Sequence, residues 1–389
     1  MRPMTQLRVG PAALVVLACF ALACGGHSTG PQDPPKGLAS CVGNDFLTVA
    51  PIDPALLREI VPLGSLNPPA HTLPTDHLYL NTTIVSRVST VANVVAPGNI
   101  VLTEVTRSTR TAAGTAEAVD YGISFFPCAD VFMYFAHVAL SLELSAKVGA
   151  FTTCDPPYST GGTTATNCRK PLAITLTPGA LIGTVGGPTN PGLDYGGNDR
   201  RVPALAFINQ ARSPGSDRTF GQKNTICPVD YYVAAVATVL RTKLGRNGVT
   251  RTIAPVCGTI MQDLPNTAQG RWFFNSTTQD DPHLALAHDN GDPRLGVISG
   301  GTSMPSLPSG ARTFTPSVSG RVNTDFPLVT ADNQIYCYQS FLGNPAPPLR
   351  HVLIQLTTSA RVRIEGFIGA TCGDPSTWAF TSGATEFSR

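Results

Sequence analysis

Between Pro62 and Leu80 the chain places His71, Asp76 and His77 within seven residues, although the whole protein has only 7 histidines. Imidazole nitrogen and carboxylate oxygen are donors that suit zinc. The same stretch, Pro-Leu-Gly-Ser-Leu-Asn-Pro-Pro-Ala-His-Thr-Leu-Pro-Thr-Asp-His, also reads as a proline-rich turn whose polar side chains cap backbone groups. Other catalytic signatures are missing from the sequence. There is no G-x-S-x-G elbow and no S-x-x-K, and no phosphate-binding loop or dinucleotide fingerprint. Asp289-Asn290-Gly291-Asp292 lacks the ligand alternation of an EF-hand and reads as a tight turn. His283 and His288 lie five apart, off one helical face, and read as ordinary polar residues. The Gln262–Phe273 run carries an aromatic pair, and a turn leading into a core strand accounts for it more simply than a ligand groove.

Short strands must position the first group. His77 to Ile84 alternates, with Leu78, Leu80 and Ile84 on one face and His77 and Tyr79 on the other. Asn99–Val105, Tyr121–Phe126, 172–176, 181–186 and Leu193–Tyr195 are further strand-like segments. Val131–Val138 alternates strictly, which puts Val131, Met133, Phe135 and His137 on one face. Tight turns between short strands predict an all-β sandwich or barrel over about residues 60–200. Asp53-Pro54 predicts a short helix carrying Leu56, Leu57 and Ile60. The polar segment 199–224 reads as a linker or long loop. Val229, Tyr232, Val233, Val236 and Leu240 then follow helical spacing, predicting a helix over 228–244 that packs on a second, mainly β domain. That domain includes alternating Val352, Ile354 and Leu356 and the strand Arg361–Glu365.

The order of features over about residues 62–200 resembles the lysostaphin and LytM type of zinc endopeptidase, which cut peptide cross-bridges in peptidoglycan. The matching stretches are His71 to Asp76, Val95-Ala96-Pro97-Gly98-Asn99-Ile100, Tyr134-Phe135-Ala136-His137, Leu181-Ile182-Gly183-Thr184-Val185-Gly186 and Gly192-Leu193-Asp194-Tyr195. The resemblance implies a barrel-sandwich hybrid core with zinc held by His71, Asp76 and Asp194. His77 is the alternative ligand, and His137 takes the place of a catalytic histidine that orients or protonates the developing oxyanion. Three departures bear on activity. Four residues separate His71 from Asp76 where the family has three, Asp194 replaces the last histidine ligand, and Gly192 stands where the second catalytic histidine belongs. Two carboxylates and one imidazole would leave zinc neutral and a weaker Lewis acid. Losing a proton-transfer group removes roughly 10²–10⁴ in rate. The resemblance therefore implies a degenerate peptidase-like domain that binds or regulates at peptidoglycan or another envelope polymer. The alternatives are an active zinc endopeptidase with altered ligands, and a structural scaffold. Gly192 is expected to leave an open space that a histidine could refill.

Composition sets the compartment. The 389 residues hold 13% charged and 42% hydrophobic residues, with 37 Gly and 34 Pro, a loop-rich globular balance. The formal charge of +2 carries no nucleic-acid footprint. Residues 1–23 read as a signal peptide: Arg2 and Arg8 precede an apolar run ending Ala21-Leu22-Ala23-Cys24. Leu22-Ala23-Cys24-Gly25 resembles the lipobox of bacterial lipoproteins, which would anchor the protein to a membrane through Cys24. Ordinary cleavage and secretion is the alternative. Residues 24–41 form a flexible tether, 42–205 the first domain, 206–226 the linker, and 227–389 the second domain. Of 10 cysteines, eight lie beyond Cys19 and Cys24, and an even number in an exported chain predicts disulfides. Cys154 with Cys168 is the pairing that the intervening Gly161-Gly162 turn favours.

Overall fold

The computed structural model describes residues 33–112, 118–160, 163–188, 192–212, 222–277, 279–343 and 347–389. The signal segment and Cys24 lie outside the described residues. The chain is mainly β, built from several antiparallel sheets and stabilised by disulfides. Among the described residues no helix is long and apolar enough to cross a membrane.

The first sheet is formed by β1 (Leu57–Val61), β2 (His77–Thr82), β3 (Val88–Val95), β4 (Ile100–Ala112), β5 (Ala118–Cys128), β6 (Val131–Leu140), β7 (Thr163–Leu176), β8 (Leu181–Gly187) and β9 (Gly192–Asp199), with three shorter strands. Its main path runs β1-β2-β9-β6-β5-β4-β7, and β8 bridges β3 and β6. Period-two alternation sends the apolar side chains to one face. Leu78 and Leu80 of β2, Leu193 and Tyr195 of β9, and Met133 and Phe135 of β6 enter one apolar core. The opposite face of the same strands carries the polar residues of the candidate site.

The expected helix after Asp53 is only a 3₁₀ turn, Pro54–Leu56, before the chain extends into β1. Asp53 caps that turn by accepting from the Ala55 amide at 2.9 Å. The backbone groups beyond that turn are satisfied by pairing of β1 with β2 instead of by a continued helix. The predicted 228–244 helix is a 3₁₀ turn, Pro228–Tyr231, followed by an α-helix, Ala234–Arg241. It packs on the first core rather than on the second domain, burying Ala237 and Leu240 there. Lys243 clamps that position: its carbonyl accepts from the Ile60 amide at 2.7 Å, and its Nζ donates to the Leu57 carbonyl at 2.9 Å. The first core thus runs on to Ile260, past the expected 206–226 boundary. Phe207 and Ile226, from the segment read as a linker, are buried in it.

The second core joins two four-stranded sheets. One holds β10 (Gly270–Trp272), β11 (Leu284–His288), β12 (Gly296–Gly300) and β13 (Gly310–Phe314). The other holds β14 (Tyr336–Tyr338), β15 (Arg350–Thr358), β16 (Arg361–Ile368) and β17 (Thr385–Ser388). Trp272, Leu286, Ile298, Phe314, Tyr338, Ile354 and Ile364 fill the space between them. Cys154 pairs with Cys168, directly opposite it on an antiparallel strand. Cys41–Cys128, Cys227–Cys257 and Cys337–Cys372 complete the set. Each crosslink typically contributes about 2–4 kcal/mol by restricting the unfolded chain.

Candidate metal centre

The register of three strands assembles the site. Asp194 on β9 stands opposite Tyr79 of β2 on one side and Ala136 of β6 on the other. His77 stands opposite Gly196, and Tyr134 stands opposite the same glycine from β6. Alternation therefore puts His77, Tyr79, Asp194 and Tyr134 on one face, away from the apolar core. A side chain at position 196 would meet the Tyr134 ring at 2.3 Å. Glycine there lets that ring cross the strand and donate its hydroxyl to Asp76 Oδ1 at 2.8 Å.

His137 breaks the alternation. Strict period two would send it into the core with Phe135. Its backbone instead takes φ = 66°, a conformation uncommon outside glycine. The register between β5 and β6 shifts in the same place, between Tyr121 and Ile123. This bulge turns the imidazole to the polar face and leaves Val138 to fill the core. Such strain persists where surrounding contacts over-determine it. Here Asp120 on β5 lies 2.7 Å from His137 Nδ1, and Asp194 Oδ2 lies 3.2 Å from its Nε2.

The result is a line of alternating carboxylates and imidazoles. Asp120 Oδ2 faces His137 Nδ1, and Arg110 stands 3.9 Å from the same oxygen. Asp194 Oδ2 lies between His137 Nε2 at 3.2 Å and His77 Nε2 at 3.4 Å. His77 Nδ1 then faces Asp76 Oδ1 at 3.2 Å. His71 approaches from the 62–76 loop, with its ring centroid 5.4 Å from that of His77. The Nε2 atoms of His71 and His77 are enclosed and make no hydrogen bond.

Burial holds the His71 imidazole neutral, lowering its pKa to about 3, and the neighbouring His77 adds to that shift. Burial alone would raise the Asp194 carboxyl. The imidazoles of His77 and His137 outweigh burial and hold it well below the usual carboxylate range. Positive charge beside a buried carboxylate, from a protonated imidazole or a metal cation, favours its anionic form.

Imidazole nitrogen and carboxylate oxygen are the donor types that zinc takes. Two atoms bound at about 2.0–2.1 Å to one tetrahedral ion lie about 3.3–3.4 Å apart, close to the His77–Asp194 and His137–Asp194 separations. Metal-bound histidines characteristically give their other ring nitrogen to a carboxylate, which is the placement of Asp76 behind His77 and Asp120 behind His137. Among the described residues, no group of three or more His, Cys, Asp and Glu side chains forms a complete metal-holding arrangement as the side chains stand. Uptake of an ion therefore requires a side-chain adjustment.

His71, Asp76, His77, His137 and Asp194 thus share one cluster, with Asp76 behind His77. Gly192 does not leave the expected open space. A side chain there would meet Asn81 Oδ1 at 2.6 Å and the Leu80 carbonyl at 2.9 Å, because β9 packs tightly along β2. Asp120 and Arg110 carried no spacing signal, since they belong to neighbouring strands. The signal for Tyr134 was Gly196-Gly197, a pair of small residues inside an otherwise regular strand. The remaining polar candidates are structural. Asp289 Oδ1 accepts the amides of Gly291 and Asp292, both at 2.8 Å, closing a turn. His288 pairs with Asp325 at 2.7 Å, His283 Nδ1 accepts from the Phe274 amide at 3.3 Å, and Trp272 and Phe273 are buried. Comparison with known families, curated proteins and solved structures yields no match.

Proposed function

We propose that the chain is an exported cell-envelope protein whose first β region binds zinc through His77, His137, Asp194 and His71, with Asp76 and Asp120 orienting two of the imidazoles. It acts by binding or regulation at peptidoglycan or another envelope polymer. The observation that carries the reading is Asp194 Oδ2 between two Nε2 atoms whose rings are each backed by a carboxylate. Four protein donors close a zinc site, and closed sites are structural rather than catalytic. Metal analysis of the purified mature protein, alongside hydrolysis of cross-linked peptidoglycan, tests this. One bound zinc and no turnover is the expected result, and a metal-free protein after zinc loading overturns it.

A second reading is an active endopeptidase. It is favoured by the position of His71, the one donor on a loop rather than on a strand of the sheet. With His71 off the metal, three protein ligands leave a place for water, the arrangement of catalytic zinc sites. When bound there, zinc would lower the pKa of that water and polarise a carbonyl. Chelator-sensitive cleavage of peptidoglycan cross-bridges selects this reading over binding alone. Placement in the envelope rests on the signal segment and Cys24. Replacing Cys24 with Ser should abolish fatty-acid labelling and release the protein from membranes. No label in the parent leaves ordinary cleavage and secretion.

A further inference from the structure

The loop that presents His71 is held chiefly by the second sheet. Its ends close on themselves: the Gly64 amide donates to the Thr75 carbonyl at 2.9 Å, and Asn67 and His71 exchange both backbone hydrogen bonds. Its outer side belongs to the other half of the molecule. Leu66 and Leu73 bury against Phe273, Ala285, Ala287 and Val297. Ser299 of β12, fully buried, donates its hydroxyl to the Thr72 carbonyl at 2.8 Å. The Leu73 amide donates to Asp280 Oδ2 at 3.3 Å. These two bonds fall one and two residues after His71 and grip the backbone on which its imidazole is mounted. The strands that carry the other donors are fixed by their own ladders within the first sheet.

We propose that Ser299 and Asp280 are positioning residues for His71, so that zinc binding in the first sheet and docking of the second sheet onto the 62–76 loop form one linked equilibrium. The proposal rests on the reading of the cluster as a zinc site. A ligand that prefers the docked form must stabilise docking, and docking must tighten the ligand by the same factor. The second half would then serve the site without contributing a donor to it.

The test uses the full mature chain. Zinc affinity is measured by competition with a chromophoric chelator in the parent and in Ser299→Ala, Asp280→Ala, Asp280→Asn and His71→Ala. Loss of a supporting contact of this kind costs about tenfold or more in metal affinity. Ser299→Ala and Asp280→Ala should each show that loss, Asp280→Asn should restore most of it by keeping an acceptor for the Leu73 amide, and neither loss should recur in a His71→Ala background. Unchanged affinity in both folded variants, or equal losses with and without His71, overturns the proposal. A second readout needs no metal: acylation of His71 by a histidine-directed reagent, followed by peptide mass spectrometry, should be slow in the parent and faster in Ser299→Ala. If the parent binds no zinc but His71 reactivity rises as expected, the zinc reading falls and the positioning role stands. If reactivity is unchanged, the positioning role falls whatever the metal result.

Discussion

Asp194 in the first sheet and Glu365 in the second core are equally buried, each 3% exposed, yet their surroundings differ in kind. Glu365 accepts from the amide and the hydroxyl of Thr381, donors that do not titrate and that belong to a local loop. Asp194 is faced by two imidazoles from two other strands. A buried carboxylate needs only hydrogen bonds to be tolerated. Where the partners are instead histidines backed by further carboxylates, the group is equipped for chemistry or for a cation. On the proposed zinc reading, the contrast separates a structural acid from a functional one within one chain.

The sharpest way to break the comparison is to remove both acids in turn. Asp194→Ala should abolish zinc retention and destabilise the protein by about 3–5 kcal/mol, because it strands charge among buried partners. Metal analysis and denaturant unfolding read the two effects. Glu365→Ala should cost less, about 1–3 kcal/mol for the unsatisfied Thr381 donors, with zinc content unchanged. If Glu365→Ala also empties the site, the two acids are not distinct in role.

Asp120→Asn sharpens the contrast further. It keeps the size of the group behind His137 but weakens its hold on the Nδ1 proton, so zinc affinity should fall by about 10–100-fold. The unfolding midpoint of the metal-free protein should move little by comparison. An equal loss of stability in the metal-free form would mean that Asp120 acts on the fold and not on the imidazole.

The smallest expected effect is a slope with pH. Burial raises the Asp280 carboxyl to about 8, against the pull of the Leu73 and Thr72 amides. The unfolded group titrates at about 3.9, so between these values the folded protein holds more protons. Asp280 thus contributes stability that is present below about pH 4 and lost as pH rises to about 8. As a residue Asp280 is only half-buried, so solvent moderates the effect. Unfolding followed across pH 4–8 should show a shallower decline in Asp280→Asn, and identical profiles would show that this carboxyl is not the source.

Much of this architecture was legible beforehand, for reasons that can be named. Leu78 and Leu80 alternate with His77 and Tyr79, and a strand with one buried face has no other way to sort them. The Cys154–Cys168 pairing was suggested by the Gly161-Gly162 dipeptide between them, which lies outside the described residues, and the two cysteines stand opposite each other on antiparallel strands. His71, Asp76 and His77 were singled out by residue type and spacing, whereas His137 and Asp194 were marked only by the resemblance to the lysostaphin and LytM type. The helix at 234–241 was visible in its apolar period, but its resting place was not. Period tells which side of a helix is apolar and never which core it enters, and that was decided by Lys243 and the backbone of β1.

The site divides along the same line. Residue types and alternation determined that a polar face with imidazoles and carboxylates exists beside an apolar one, because side-chain period along a strand is a local property. Only the tertiary structure decided which atoms meet. The register of β9 between β2 and β6 aligned Asp194 with its neighbours, and a single positive φ turned His137 out of the core. Asp120 came from an adjacent strand, and the second sheet held the loop that carries His71. Each of these depends on strands far apart in sequence settling into one register, and hydrophobic alternation within a strand carries no information about its partner.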